Sequence, residues 1–316
     1  MNVLILIWEQ EKVGIMSSPG MPGIVVAGFG SGADLVRRVA RSMACGSGDV
    51  IRIDQSSCAV SIIEPGVERH ASQTLSSVEL PELLGGSAVV FMISDGREWM
   101  RTSRLAARIA EAGDVAVMVF LVADAEGDGQ MHMPEDRRLH HSSHEWISER
   151  SSAVVVDVSS ESDADLRLGK MIACISNMLL EPSVINLDLA DLRTVMRCGT
   201  EACIISGTGR SPESALRDAL DKSLSLMDMS RARGCLLHIT GGSALTLRDA
   251  NHIAESMTVA LDPRANVIWG MRVRDDLEII EITAVLTGKN IMRSSRGTDM
   301  NLEDLRGGWG DGADKE

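Results

Sequence analysis

The sequence predicts an α/β fold in three parts: an N-terminal half built on a parallel sheet, a long central helix, and a C-terminal α+β two-layer sandwich. Three observations predict it. Ile24–Ala27 is a short apolar run that ends in the glycine turn GFGSGA, Gly28 to Ala33, and leads into the helical pattern ADLVRRVARSMA, apolar at Leu35, Val36, Val39 and Met43. Strand, glycine turn and helix in that order make a phosphate cradle of backbone N–H groups at a helix N-terminus. The runs 88–93 (AVVFMI) and 115–122 (VAVMVFLV) are apolar without alternation, as in parallel strands covered on both faces. Residues 165–180 carry Leu168, Met171, Ile172, Ile175, Met178 and Leu179, a stripe at the helical period. Beyond them strands and helices follow one another as in an α+β layer pair.

Composition narrows the function. The 316 residues suffice for two domains and a large core. A net charge of −14, no local basic patch, no Tyr and only 3 Phe exclude a nucleic-acid surface, which needs cations and stacking rings. The six cysteines (45, 58, 174, 198, 203 and 235) form no C-x-x-C pair and read as inert thiols of a reducing cytoplasm. The opening MNVLILIW is too short to span a bilayer and reads as an extra strand or as unordered chain. The SSPGMPG stretch after it reads as linker, with Met16 or Met21 as alternative starts. No direct membrane insertion is expected.

The remaining elements follow in order. Strand 50–54 (VIRID) ends in Asp54, where the ribose-binding acid of a G-x-G-x-x-A dinucleotide pattern would stand. Another apolar run covers 59–63, with a polar stretch to about Leu75. The segment after 93 reads SDGREWMRTSRLAARIAEAG: one glycine, Gly96, then Arg97, Glu98, Trp99 and Met100, and a helix to Glu111. Residues 124–136 are a polar loop. His132, His140, His141 and His144 cluster near Glu135, Asp136 and Glu145; His140 and His144 share a helical face, but without a zinc-protease motif the segment reads as an exposed polar helix, and no metal site is assigned. A strand at 153–158 precedes the central helix. NLDLADLRTVM, from Asn186, places Asp188 and Asp191 at a helix start, where acids satisfy free N–H groups and the helix dipole. EACIISGTG (201–209) is a strand. SPESALRDALDKSLSL is a helix capped by Ser211 with Pro212 at its first position. RARGCLLHITGG (231–242) is a strand and turn, LTLRDANHIAESM a helix, and 261–288 two strands around an acidic turn. The tail from 291, RGGWGDGADKE at its end, reads as disordered.

The string NLDLADLRTVM strongly resembles the catalytic loop of the FtsZ branch of the tubulin superfamily. The resemblance continues in RARGCLLHITGG, which is similar to a GARGVLVNITGG-type strand and turn down to Gly241 and Gly242, and in LDPRANVIWGMRVRDDLEIIEITAVLTG. It is fair at the first glycine turn, where the family has GxGGGGxN and this chain keeps Gly28, Gly30 and Gly32, with Ser31 replacing a glycine and Asp34 near the Asn. It is poor where the family has a GGGTGTG phosphate loop, of which Gly96 survives.

The resemblance implies a Rossmann-like GTPase domain over 24–162 after an N-terminal extension (1–23), a central helix (163–181), a C-terminal FtsZ-like domain (182–290) and a tail (291–316). Within the tail, MNLEDL resembles the family's short adaptor-binding peptide. The resemblance implies GTP or GDP with Mg2+ as ligand and head-to-tail assembly, either as a homo-oligomer or as a co-filament with a conventional FtsZ. Gly28, Gly30, Ser31, Gly32, Gly96, Glu135, Arg138 and Asp165 would contact the nucleotide. Asp188 and Asp191 would orient water against the γ-phosphate of a neighbouring subunit's nucleotide, with Asn186 shaping the loop. The loop that serves a neighbour is intact and the chain's own phosphate loops are altered, so the expected protein activates a partner's hydrolysis while holding GTP weakly or not at all. The alternatives are a self-polymerising GTPase with an atypical phosphate loop and, more remotely, an NAD-type oxidoreductase using GFGSGA and Asp54.

Overall fold

The computed structural model describes residues 2–8, 24–29, 48–54, 60–64, 67–71, 88–95, 99–113, 115–122, 152–157 and 164–292. The helix pattern after Ala33, the polar loop and histidine cluster of 124–146, the linker before Ile24 and the tail after Met292 lie outside the described residues.

Twelve strands and five helices are described: β1 Asn2–Trp8, β2 Ile24–Phe29, β3 Gly48–Asp54, β4 Val60–Glu64, β5 Val67–Ala71, β6 Val89–Asp95, α1 Trp99–Ala112, β7 Ala116–Val122, β8 Ala153–Asp157, α2 Ala164–Leu180, α3 Leu189–Met196, β9 Glu201–Gly209, α4 Pro212–Ser223, β10 Ala232–Gly241, α5 Leu247–Val259, β11 Asn266–Val273 and β12 Ile280–Gly288. Ten strands form one sheet in the order β11-β10-β12-β9-β8-β7-β6-β2-β1-β3, and β4 and β5 form a separate antiparallel pair.

In the N-terminal half β2, β6, β7 and β8 run parallel. Phe91, Ile93, Met118, Phe120, Val154 and Val156 face the core shared with α2 and α3, while Val90, Met92, Val117 and Val119 are equally buried. Both faces are therefore covered, which is why these strands are apolar without alternation.

The opening strand β1 is inserted antiparallel between β2 and β3, pairing Gly28 with Leu4 and Asp54 with Asn2. It places β3 two strand spacings, about 10 Å, from β2. A dinucleotide fold keeps its acidic residue on the strand beside the glycine turn; here Asp54 is one strand too far away.

The C-terminal half alternates strictly. Cys203, Ile205, Cys235, Leu237, Ile239, Ala284 and Leu286 face α4 and α5. Ala202, Ile204, Leu236 and Val285 face the other way, into the core with α2 and α3. The period of two fixes both faces. The sandwich thus shares its second face with the central helix. β11 and β12 follow one another in sequence but do not pair: β10 lies between them, parallel to β11 and antiparallel to β12.

The two halves meet edge to edge. Val155 on β8 bridges Glu201 on β9, and the Val155 N–H donates to the Thr200 carbonyl at 2.9 Å. The buried Glu201 carboxylate accepts from the N–H groups of Ile291 and Met292 at 2.7 and 3.1 Å. One residue therefore ties the junction to the start of the tail.

The Asn186–Asp191 loop as candidate functional site

The chain leaves α2 at Leu180 and is pinned at once to the edge strand β11. The N–H groups of Val184 and Ile185 donate to the Met271 carbonyl at 2.8 and 3.0 Å, and the Met271 N–H donates back to Ile185 at 3.0 Å. Glu181 forms an ion pair with Arg272 on the same strand. The loop then turns off the edge onto the α2 side, where Leu187 is buried. Gly270 makes this possible: a Cβ there would stand 2.7 Å from Leu187 Cγ and 2.8 Å from the Ile185 carbonyl oxygen. A glycine inside a strand marks such a close approach; that signal, in NVIWGMRV, is the one the sequence reading missed.

Burial alternates along the loop. Ile185 is half-buried and Leu187 buried, while Val184, Asn186 and Asp188 are exposed, Val184 by 61%. The Asn186 Oδ1 accepts from the Ser183 N–H at 2.8 Å, so its amide nitrogen points away from the turn it stabilises. Asp188 is the N-cap of α3. Its Oδ1 accepts from the Asp191 N–H at 2.9 Å, and Asp191 Oδ2 accepts from the Asp188 N–H at 3.0 Å. This reciprocal box satisfies two orphan donors at the helix start. It commits one oxygen of each carboxylate, and among the described residues no ion pair or further hydrogen bond engages either second oxygen.

α3 is anchored in turn. Leu192, Val195 and Met196 are buried, and Thr287 Oγ1 on β12 donates to the Val195 carbonyl at 2.5 Å. Two carboxylates on a rigid, outward-facing helix start can position water or a hydrated cation: hard oxygen donors suit Mg2+, which keeps several waters and takes one or two carboxylates. Among the described residues no group of three or more His, Cys, Asp or Glu side chains is arranged to hold a metal ion, and no helix is long and apolar enough to cross a membrane.

Of the residues expected at the nucleotide, Gly28 and Asp165 are described. Gly28 is buried on β2, paired with Ile93 on β6. The parallel strands β2 and β6 end at Phe29 and Asp95, so the chain leaves both at the same edge, the ligand-binding edge of open α/β sheets. Gly30, Ser31, Gly32 and Gly96, with Glu135 and Arg138, lie outside the described residues. Asp165 is the second residue of α2, which begins seven residues after β8 ends at that same edge. α1 begins at Trp99, so Trp99 and Met100 lie in its first turn. Ser94 and Thr102 hydroxyls, 2.9 Å apart and buried, tie β6 to α1.

Another polar group is buried nearby. His238 on β10 shares its sheet face with Leu236, pairs in register with Thr283 on β12 and Gly270 on β11, and lies 3.4 Å through Nδ1 from Thr240 Oγ1. Burial pushes its pKa down to about 4. Cys174 on α2 hydrogen-bonds Thr283, and burial raises its thiol pKa. These polar groups line the seam between central helix and C-terminal sheet.

Parts of the chain are similar to known proteins. The FtsZ family, C-terminal domain, matches residues 195–290. A cell division protein FtsZ of Methanothermobacter thermautotrophicus is 39% identical over 129 residues, 40% of this chain and 34% of its own length. One from Methanocaldococcus jannaschii is 39% identical over 132 residues, 40% of this chain and 35% of its own. The matched stretch thus spans about a third of those relatives. Among solved structures, an M. jannaschii FtsZ dimer superposes with a TM-score of 0.53 at 23% identity, covering 67% of each chain. A W319Y mutant of M. jannaschii FtsZ gives 0.54 at 22%, covering 67% of this chain and 69% of its own; at these identities the likeness is one of fold. Residues 195–290 thus match the C-terminal domain of the FtsZ family, and the fold of the chain resembles that of the solved FtsZ structures.

Proposed function

We propose that this chain is a filament subunit whose Asn186–Asp191 loop acts on a nucleotide held by the adjoining subunit, while its own hold on GTP is weakened. The observation that carries the reading is the loop itself: a pair of carboxylates, Asp188 exposed and Asp191 half-buried, each with one uncommitted oxygen among the described residues, fixed by backbone bonds to Met271 and by a capping box. Phosphoryl transfer to water needs positioning and electrostatics more than covalent chemistry. A bound GTP with Mg2+ would supply the electrophilic γ-phosphate and neutralise its charge. Asp188 and Asp191 would hold the attacking water by their free oxygens and accept its proton's hydrogen bond; Asn186 would add an amide donor beside them. The contact joins unlike surfaces, so it extends into open filaments, whether of this chain alone or with a conventional FtsZ. The Arg97–Met100 stretch supports weak binding in this chain, because bulky side chains replace the glycines that let a backbone approach phosphate.

A second reading, a self-polymerising GTPase, is favoured by the common edge at which the chain leaves β2 and β6. Nucleotide titration of the pure protein, paired with sedimentation in GTP, separates the two. The first reading predicts no binding at submillimolar GTP, no turnover and no GTP-dependent pelleting. Submillimolar affinity with robust turnover would replace it with the second.

A further inference from the structure

β11 is the outermost strand of the sheet, and the described residues cover only part of its outer edge. Met271 turns both its N–H and its C=O outward to Ile185. Backbone groups alternate sides along a strand, so Val267 and Trp269 also present theirs outward. Among the described residues neither has a backbone partner there, because the loop has already left the edge after Ile185. The stretch Asn266–Met271 holds no Lys, no Pro and no bulge, the usual means by which an edge is protected. An exposed edge of this kind takes an added strand, with main-chain bonds giving the affinity.

We infer that the tail segment Thr298–Glu303 of the same chain docks on this edge as an added strand. Its sequence, TDMNLE, alternates Thr298, Met300 and Leu302 with Asp299, Asn301 and Glu303, the strand period. The tail departs at Met292, whose N–H is held by Glu201 on β9. From β9 the path crosses β12, β10 and β11 to a new position, four spacings or about 19 Å. Met300 lies eight residues beyond Met292, a reach of about 26 Å. The tail arrives from the Asn266 end of β11 and so runs parallel to it. Arg233 and Arg264 stand at that end and share the single carboxylate of Asp262, at 3.9 and 3.5 Å. One positive charge is left over for Asp299 or Glu303. A docked tail would flank Asn186 and Asp188 and compete with an adjoining subunit for that face. The competition rests on the function proposed above; the docking does not.

Amide hydrogen exchange tests it. In the full chain the Val267 and Trp269 amides should exchange at least tenfold more slowly than in a chain ending at Met292, with the Leu237 and Val285 amides unchanged as the control for folding. Met300→Pro in the full chain, which leaves the folded domain untouched, should release the same two amides. Equal exchange in all three proteins would overturn the inference. So would protection that disappears on dilution, because the occupant would then be the tail of a second copy.

Discussion

At the scale of single residues, Asp188 has two separable tasks. It caps α3, and it presents a charged oxygen outward. Asp188→Asn keeps an N-cap acceptor and removes the charge, whereas Asp188→Ala removes both; the alanine variant should lose about 1 kcal/mol and the asparagine variant almost nothing in urea unfolding. Gly270→Ala should cost about 1–3 kcal/mol, since its Cβ would meet both the buried Leu187 side chain and the Ile185 backbone carbonyl, which cannot swing away. His238 makes the protein acid-sensitive. Its folded pKa, about 4, lies below the ordinary value near 6.5, so the unfolded chain takes up the proton first. The neutral imidazole's contribution is intact above pH 6.5 and is lost as pH falls toward 4, by about 2 kcal/mol between pH 7 and pH 5. Urea midpoints should show that loss in the wild type and a correspondingly flatter pH dependence in His238→Leu. The cap was legible in the sequence, because D-x-x-D at a helix start is a local pattern. His238 was not: nothing local in CLLHITGG distinguishes an inward histidine from an outward one until the sheet's second face is known to be covered.

At the scale of elements, C-terminal boundaries could be read to within about three residues. Glu201–Gly209 and the Ser211 cap with Pro212 emerge as expected, since strict alternation and capping boxes are encoded within a few residues. The second strand of the small hairpin, Val67–Ala71, hid in a polar stretch, because a strand paired on one side needs few apolar residues. Strand neighbours were less legible still. That β10 separates β11 from β12, and that β1 separates β2 from β3, depends on contacts distant in sequence. Glu201 shows how two such contacts converge: its buried carboxylate closes the chain at Ile291 and Met292. Glu201→Ala would leave the buried Ile291 donor and the half-buried Met292 donor without this acceptor and should cost about 2 kcal/mol, detectable as a lower melting temperature and faster exchange of the Ile291 amide.

At the scale of the whole molecule, one sheet runs through both halves and the central helix covers it. The loop after that helix is held to β11, so its geometry belongs to the C-terminal half, the part that matches the FtsZ family. The parallel strands β2 and β6, after which Gly30 and Gly96 follow in sequence, belong to the other half. In the function proposed above, a single chain would carry the two halves of a shared site at different places, and they could change independently. The central claim is that the loop half works on another subunit's nucleotide. The most direct measurement is the GTP turnover of a nucleotide-competent FtsZ at fixed concentration, titrated with this chain as wild type and as Asp188→Asn. The account predicts that the wild type changes the partner's turnover in proportion to its amount, and that the folded Asp188→Asn protein changes it far less. Identical turnover with both proteins would contradict it.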